Sequence, residues 1–211
     1  MIFSISGHMG SGKDLSGKII QYLTGLNTHI PFDEWIDSDY DNPDFSDWKI
    51  VKFADALKEC AAILLGCDRA KFEDPEFKNS TLPEEWDNMI APGGWFQKDP
   101  TVRNLLQYLG TDAIRNHLHP DAWVNALMNR YSPDKKWIVT DTRFYNEILA
   151  IKSRGGIAIR ISRLQNGTNS KHVSETALDE YTFDYDIENN GTKNELVEKV
   201  KAILLEHGII P

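Results

Sequence analysis

The chain has 211 residues, with 23 Lys and Arg against 32 Asp and Glu, so its formal charge is −9; 41% of it is hydrophobic and 26% charged. This is the balance of an ordinary globular domain that can bury its own core, and it excludes disordered, collagen-like and membrane-spanning classes, since no run approaches the ~18 apolar residues of a spanning helix. The acidic surplus argues against nucleic acid as a partner, and the first residues, MIFSISGHMG, lack the charged-then-apolar layout of a secretory signal, so a cytoplasmic location is expected.

Residues 2–6 form a short apolar, β-leaning run. Glycines follow, and then Leu15, Ile19, Ile20 and Leu23 at near-helical spacing, which predicts strand, Gly-rich turn and helix. From 24 to 48 the text is polar and acidic with Pro31 and Pro43, and reads as an irregular connection. Residues 49–53 are a second strand candidate, and 54–65 a helix stopped by Gly66. Cys60 and Cys67 lack C-x-x-C spacing and read as buried reduced thiols. The stretch 66–98, with Pro75, Pro83, Pro92 and Gly93-Gly94, reads as an insertion of short helices outside any sheet. Val102, Leu105, Leu106, Leu109, Ala113 and Ile114 outline an amphipathic helix, and 123–128 another.

Residues 137–140 predict a buried strand ending at Asp141. A helix over 144–153, a stop at Gly155-Gly156 and a strand over 157–161 follow. The polar stretch 162–175 suits a lid-like loop. Residues 185–187 make a last short strand, and Thr192 with Glu195 matches a capping box opening a final helix. Strands alternating with helices in a single domain over 1–211 predict an α/β architecture, a parallel sheet flanked by helices.

The segment Gly7-His8-Met9-Gly10-Ser11-Gly12-Lys13 matches G-x-x-x-x-G-K. Glycines there let backbone N–H groups converge on phosphate oxygens, the Lys reaches the outer phosphates, and the following helix adds its positive end. Asp14 stands where this pattern has the Ser or Thr that binds Mg²⁺. It either serves the metal, directly or through water, or merely charges the first helical turn. Asp141 ends an apolar strand where a second metal-side carboxylate of such sites lies, or else caps a helix, and Arg143 beside it can clamp a phosphate. Arg160 and Arg163 bracket the start of the lid-like loop, where they either fold over the transferring group or lie on the surface.

These strings resemble the deoxynucleoside monophosphate kinases of tailed bacteriophages, relatives of the adenylate-kinase-like P-loop enzymes. The resemblance rests on Gly7 to Asp14, Phe53-Ala54-Asp55-Ala56-Leu57-Lys58, Leu105 to Arg115 (LLQYLGTDAIR), Asp121 to Val124, Thr140 to Glu147 (TDTRFYNE) and His172-Val173-Ser174-Glu175. It implies a P-loop NTPase fold with an inserted acceptor-binding or lid region, and transfer of the γ-phosphate of ATP to a deoxynucleoside 5′-monophosphate with Mg²⁺. On that reading Gly7, Gly10, Ser11, Gly12, Lys13, Asp14 and Arg160 hold ATP. Lys13, Asp14, Asp141, Arg143 and Arg163 carry the transfer, with Asp14 and Asp141 at the metal. Asp55, Lys58, Arg103, Trp123, Arg143, His172 and Glu175 contact the acceptor. Aromatics such as Trp95, Phe96, Tyr108 and Trp123 could stack on a base or belong to the core.

Two alternatives remain at this level. Animal-type phosphomevalonate kinases share the phosphate turn and the Asp-Thr-Arg string, and a nucleotide-binding regulatory module needs no acceptor. The bases accepted, selectivity for deoxyribose and formation of a homodimer are not fixed by these residues.

Overall fold

In the computed structural model the N-terminal apolar run is β1 (Ile2–Ser6), buried along its whole length. The structure describes residues 1–26, 29–37, 46–87, 89–91, 95–164 and 176–211, with backbone alone at 89–91 and 95–97. They divide into two compact units, Met1–Lys52 with Tyr131–Pro211, and Phe53–Arg130.

The first unit is built on a five-stranded sheet with β1 at its centre. Its order is β2 (Trp48–Val51), β5 (Lys136–Val139), β1, β6 (Ile157–Ser162), β7 (Tyr185–Glu188), and every pairing is parallel. Phe3 aligns with Ile138 on one side and Ile157 on the other. Side chains alternate across a strand, and β6 shows both faces in use. Ile157, Ile159 and Ile161 pack with Ile19 and Ile20 of α1 (Lys13–Thr24) and with Leu196, Val200 and Ile203 of α8 (Lys193–Glu206). Ala158, between them, packs instead with Ile148 of α7 (Tyr145–Lys152), Leu178 and Phe183. A parallel sheet needs helices on both faces, and each apolar side chain so buried contributes roughly 1.5–3 kcal/mol. This is the expected α/β architecture, a parallel sheet flanked by helices. Among the described residues no helix is long and apolar enough to cross a membrane.

Two expectations change here. The 24–48 stretch is not irregular throughout, because it contains α2 (Phe32–Asp37). Phe32 and Trp35 are buried there against Tyr22, with ring centroids 5.2 and 5.5 Å from it. The thiols are free but not buried. Cys60 is exposed and Cys67 half-buried, since α3 (Ala54–Leu65) turns Ala61 and Ala62 inward instead.

The second unit opens with α3, which Gly66 ends in the left-handed conformation at φ 59°. The 66–98 stretch lies within this unit. It holds short 3₁₀ turns at Arg69–Glu73 and Glu84–Trp86 and α4 (Pro75–Asn79), but the expectation that it lies outside any sheet is corrected, since it also forms a two-stranded antiparallel pair of its own, β3 (Met89–Ala91) with β4 (Trp95–Gln97). Phe72, Leu82, Ala61 and Ala62 form its core with Val102 and Leu105 of α5 (Val102–Gln107). The helix predicted over 102–114 widens into π winding at Tyr108–Arg115. Such winding is rare and needs support. Trp123 of α6 (Ala122–Met128) supplies it by donating its indole N–H to the Gly110 carbonyl at 2.7 Å.

Candidate active site

The phosphate turn occupies the carboxyl end of β1. Gly7, Gly10 and Gly12 have φ of 144°, 80° and 105°, which L side chains avoid, so the motif's glycines are required by the backbone path. A Cβ at Gly7 would also lie 2.1 Å from the Ile161 carbonyl oxygen. Lys13 opens α1, and its ammonium donates to the Gly7 and His8 carbonyls at 2.6 and 2.7 Å, so its charge rests on the turn. Gly12, the N-cap of α1, has no side chain to cap the helix. Ser11 is 1% exposed, and its hydroxyl has no hydrogen-bond partner among the described residues. A buried unpaired hydroxyl is costly, and a phosphate oxygen would satisfy it.

Asp14 is exposed but held from two strand ends. Thr140, buried after β5, donates its hydroxyl to Asp14 Oδ1 at 2.6 Å, and the Lys52 ammonium after β2 lies 3.0 Å from the same oxygen. Partial burial would push the Asp14 carboxyl up, but the Thr140 hydrogen bond, Lys52 and Lys13 outweigh it and hold it below the usual carboxylate range. It is therefore ionised at neutral pH. Asp141 follows Thr140, half-buried. Among the described residues no three acidic, His or Cys groups gather as a metal cage. A cation here would rest on one or two carboxylates and on a ligand's own oxygens, the usual habit of Mg²⁺.

The residues after Asp141 are fixed from both sides. Ser4 of β1 donates to the Thr142 hydroxyl at 2.8 Å, wholly buried. Glu147, 2% exposed in α7, accepts the Arg143 and Phe144 N–H groups on Oε2 at 2.7 and 3.1 Å. Arg143 lines a pocket of about 120 Å³ with Gly7, His8, Thr142, Arg160 and Asp179. That is room for several waters or a phosphate group.

Arg160 reaches this pocket, but its guanidinium donates to the carbonyls of Leu178, Asp179 and Tyr181 and stacks 4.4 Å from the Phe183 ring centre. It braces the 178–183 turn. Arg163 lies one residue past β6, exposed. Gly7 to Asp14, Asp141, Arg143 and Arg160 thus all belong to strand ends or adjoining turns of the first unit.

Asp55, Lys58, Arg103 and Trp123 belong to the second unit. Lys58 is buried with its ammonium 2.8 and 3.0 Å from the two Glu73 oxygens. Arg69 bridges Glu73 and Asp55. Arg103 donates to Asn79 Oδ1 at 3.1 Å. Trp123 is 7% exposed, a core side chain with its N–H already bonded to Gly110. Tyr108 lies in the π winding, half-buried. His172 and Glu175, most of the 162–175 stretch, and the side chains of Trp95 and Phe96 lie outside the described residues.

Two residues at the site carry no motif of their own. Lys52 and Asn189 act through partners distant in sequence, the Asp14 carboxylate and the Ser11 carbonyl. Gly17 is the exception that its own helix signals. A glycine inside an amphipathic helix marks close approach, and a Cβ there would lie 2.8 Å from Thr140 Cγ2.

A family model described as deoxynucleotide monophosphate kinase matches residues 66–200, a span that leaves the phosphate turn outside it. The deoxynucleotide monophosphate kinase of Enterobacteria phage T4 is 34% identical over 109 residues, and that of Escherichia phage RB69 31% over 109; each alignment covers 49% of this chain and 45% of the relative. A protein of Acanthamoeba polyphaga mimivirus bearing the same family name is 30% identical over 164 residues, 70% of this chain and 78% of the relative. The chain therefore spans under half the length of the two phage relatives it matches.

Proposed function

The chain belongs to the deoxynucleotide monophosphate kinase family, and on that premise we propose that it transfers the γ-phosphate of ATP to a deoxynucleoside 5′-monophosphate, giving the diphosphate and ADP. The observation that carries the reading is the turn itself: three glycines at positive φ, Lys13 resting on the turn's own carbonyls, and a buried Ser11 hydroxyl with no partner among the described residues. All three features suit a polyphosphate, which accepts hydrogen bonds and carries negative charge.

Phosphoryl transfer asks for positioning and charge neutralisation more than for covalent help. An oxygen of the acceptor monophosphate attacks the γ-phosphorus, the bond from that phosphorus to the β,γ-bridging oxygen breaks, and the electron pair leaves with ADP. The turn's N–H groups and Lys13 hold the β- and γ-phosphates. Arg143, its backbone fixed by Glu147, is placed to neutralise phosphate charge in the pocket beside Gly7. Mg²⁺, when bound with ATP, supplies further neutralisation at the phosphates, and the ionised Asp14 with Asp141 would hold it. Arg163 serves the same transfer from the end of β6. The compartment is that of nucleotide metabolism, the cytoplasm.

The test is ATP-dependent diphosphate formation with Mg²⁺ across the four deoxynucleoside monophosphates, their ribose forms and phosphomevalonate, beside Lys13→Ala. Turnover on deoxynucleotides that disappears in Lys13→Ala is expected. Turnover confined to phosphomevalonate, or ATP binding with no acceptor-dependent turnover, would refute the proposal in favour of one of the two alternatives.

A further inference from the structure

Asn189 lies directly after β7 and is 8% exposed. Its backbone N–H donates to the Ser162 carbonyl at 2.7 Å, which carries the β6–β7 ladder one residue further and fixes the residue to the sheet. Its side-chain Nδ2 donates to the carbonyl of Ser11 at 2.8 Å, a buried bond across 178 residues of sequence. The contact is close on the next residue as well, since a Cβ at Gly12 would lie 2.5 Å from the same nitrogen.

The geometry of a peptide bond gives this contact its consequence. In a trans peptide the C=O of one residue and the N–H of the next point in opposite directions within one plane. Drawing the Ser11 carbonyl toward Asn189 therefore turns the Gly12 N–H the other way. Gly12 has the permissive φ of 105°, so its own conformational preference does little to fix that plane. We infer that Asn189 is a positioning residue for the phosphate turn, setting the Ser11–Gly12 peptide so that the Gly12 N–H is presented to a nucleotide phosphate. The inference rests on the nucleotide-binding reading above for the ligand, but not for the orientation of the peptide.

Four proteins separate positioning from stability: wild type, Asn189→Ala, Asn189→Ser, whose hydroxyl stops one bond short of the amide nitrogen, and Thr192→Ala. The last removes the α8 cap, where Thr192 Oγ1 accepts the Glu195 N–H, and leaves the Ser11 bond alone. Calorimetry measures binding of ATP without acceptor, and amide hydrogen exchange follows Gly12 in the free proteins. Both Asn189 variants should weaken ATP about tenfold and speed exchange at Gly12, the size expected for one misdirected hydrogen bond to a charged group. Thr192→Ala should stay within about twofold of wild type on both counts, although it loses a helix cap. Wild-type affinity in the Asn189 variants, or an equal loss in Thr192→Ala, would overturn the inference. Should the wild type bind no ATP, the nucleotide reading falls on its own, and unchanged Gly12 exchange in Asn189→Ala and Asn189→Ser would then overturn the positioning role independently.

Discussion

Ser11→Ala has opposite expected signs in the free and nucleotide-bound protein. The substitution removes one oxygen from a residue 1% exposed, whose hydroxyl meets no partner among the described residues. An unpaired buried hydroxyl costs roughly 1–3 kcal/mol on mutational scales, while the one-atom void left behind costs a few tenths at most. The free protein should therefore gain about 1 kcal/mol, a rise in Tm of roughly 2–4 °C for a chain of this size. With ATP present the hydroxyl has its partner, and a hydrogen bond to a charged phosphate is worth about 1.5–3 kcal/mol. ATP should then bind about tenfold more weakly or worse, and the thermal shift produced by a fixed ATP concentration should shrink. Thermal unfolding by circular dichroism with and without ATP, beside calorimetric Kd values, reads both signs. A lower Tm in the free variant, or an ATP affinity within twofold of wild type, would refute the assignment of the Ser11 hydroxyl to a phosphate.

Three further outcomes are expected. Glu147→Gln keeps an acceptor for the Arg143 and Phe144 N–H groups and should lose about 1 kcal/mol, whereas Glu147→Ala leaves both without it and should lose about 3; equal losses in urea unfolding would contradict the bond pattern. Trp123→Phe keeps an aromatic ring but loses the N–H bonded to Gly110 and part of the buried indole's packing, so stability should fall by about 2 kcal/mol, and hydrogen exchange should speed most along Tyr108–Arg115. Uniform acceleration over Phe53–Arg130 would contradict a local role. For Asp184, burial pushes the carboxyl up, but the Lys152 ammonium and the Ala158 N–H outweigh it, so the folded value lies below the ordinary one. Its stabilisation is present in full above the unfolded carboxylate's range near ~4 and is lost as pH falls through the folded value. The stability gap between wild type and Asp184→Asn should therefore close in acid; a gap unchanged down to about pH 2 would sink this.

The parts legible in the sequence are those whose chemistry is local. Strand β1, the turn and α1 could be read because glycine spacing and helical periodicity sit within twenty residues, and the φ values at Gly7, Gly10 and Gly12 are what such a turn demands. Helix α2 escaped because two aromatics three residues apart in acidic text make no periodic pattern; Phe32 and Trp35 become core only once Tyr22 of another helix faces them. The π winding escaped for a similar reason, as the apolar spacing over 102–114 suits an ordinary helix and the support comes from Trp123, thirteen residues beyond Gly110.

The charged candidates show the limit most clearly. The resemblance marked Lys58 and Asp55 for the acceptor and Arg160 for ATP, yet a charged group's availability depends on which partners the fold delivers to it. Glu73 takes Lys58, Arg69 takes Asp55, and the 178–181 carbonyls take Arg160. Arg143 shows the reverse. Its backbone is held by Glu147 four residues on, a spacing visible in the sequence, and that bond fixes the chain beside Gly7 where the side chain lines the pocket. A carboxylate one helical turn after an arginine could thus be read as a backbone anchor as readily as an ion-pair partner. The two make different predictions: an ion pair weakens with salt, whereas the Glu147 anchor, 2% exposed, should not.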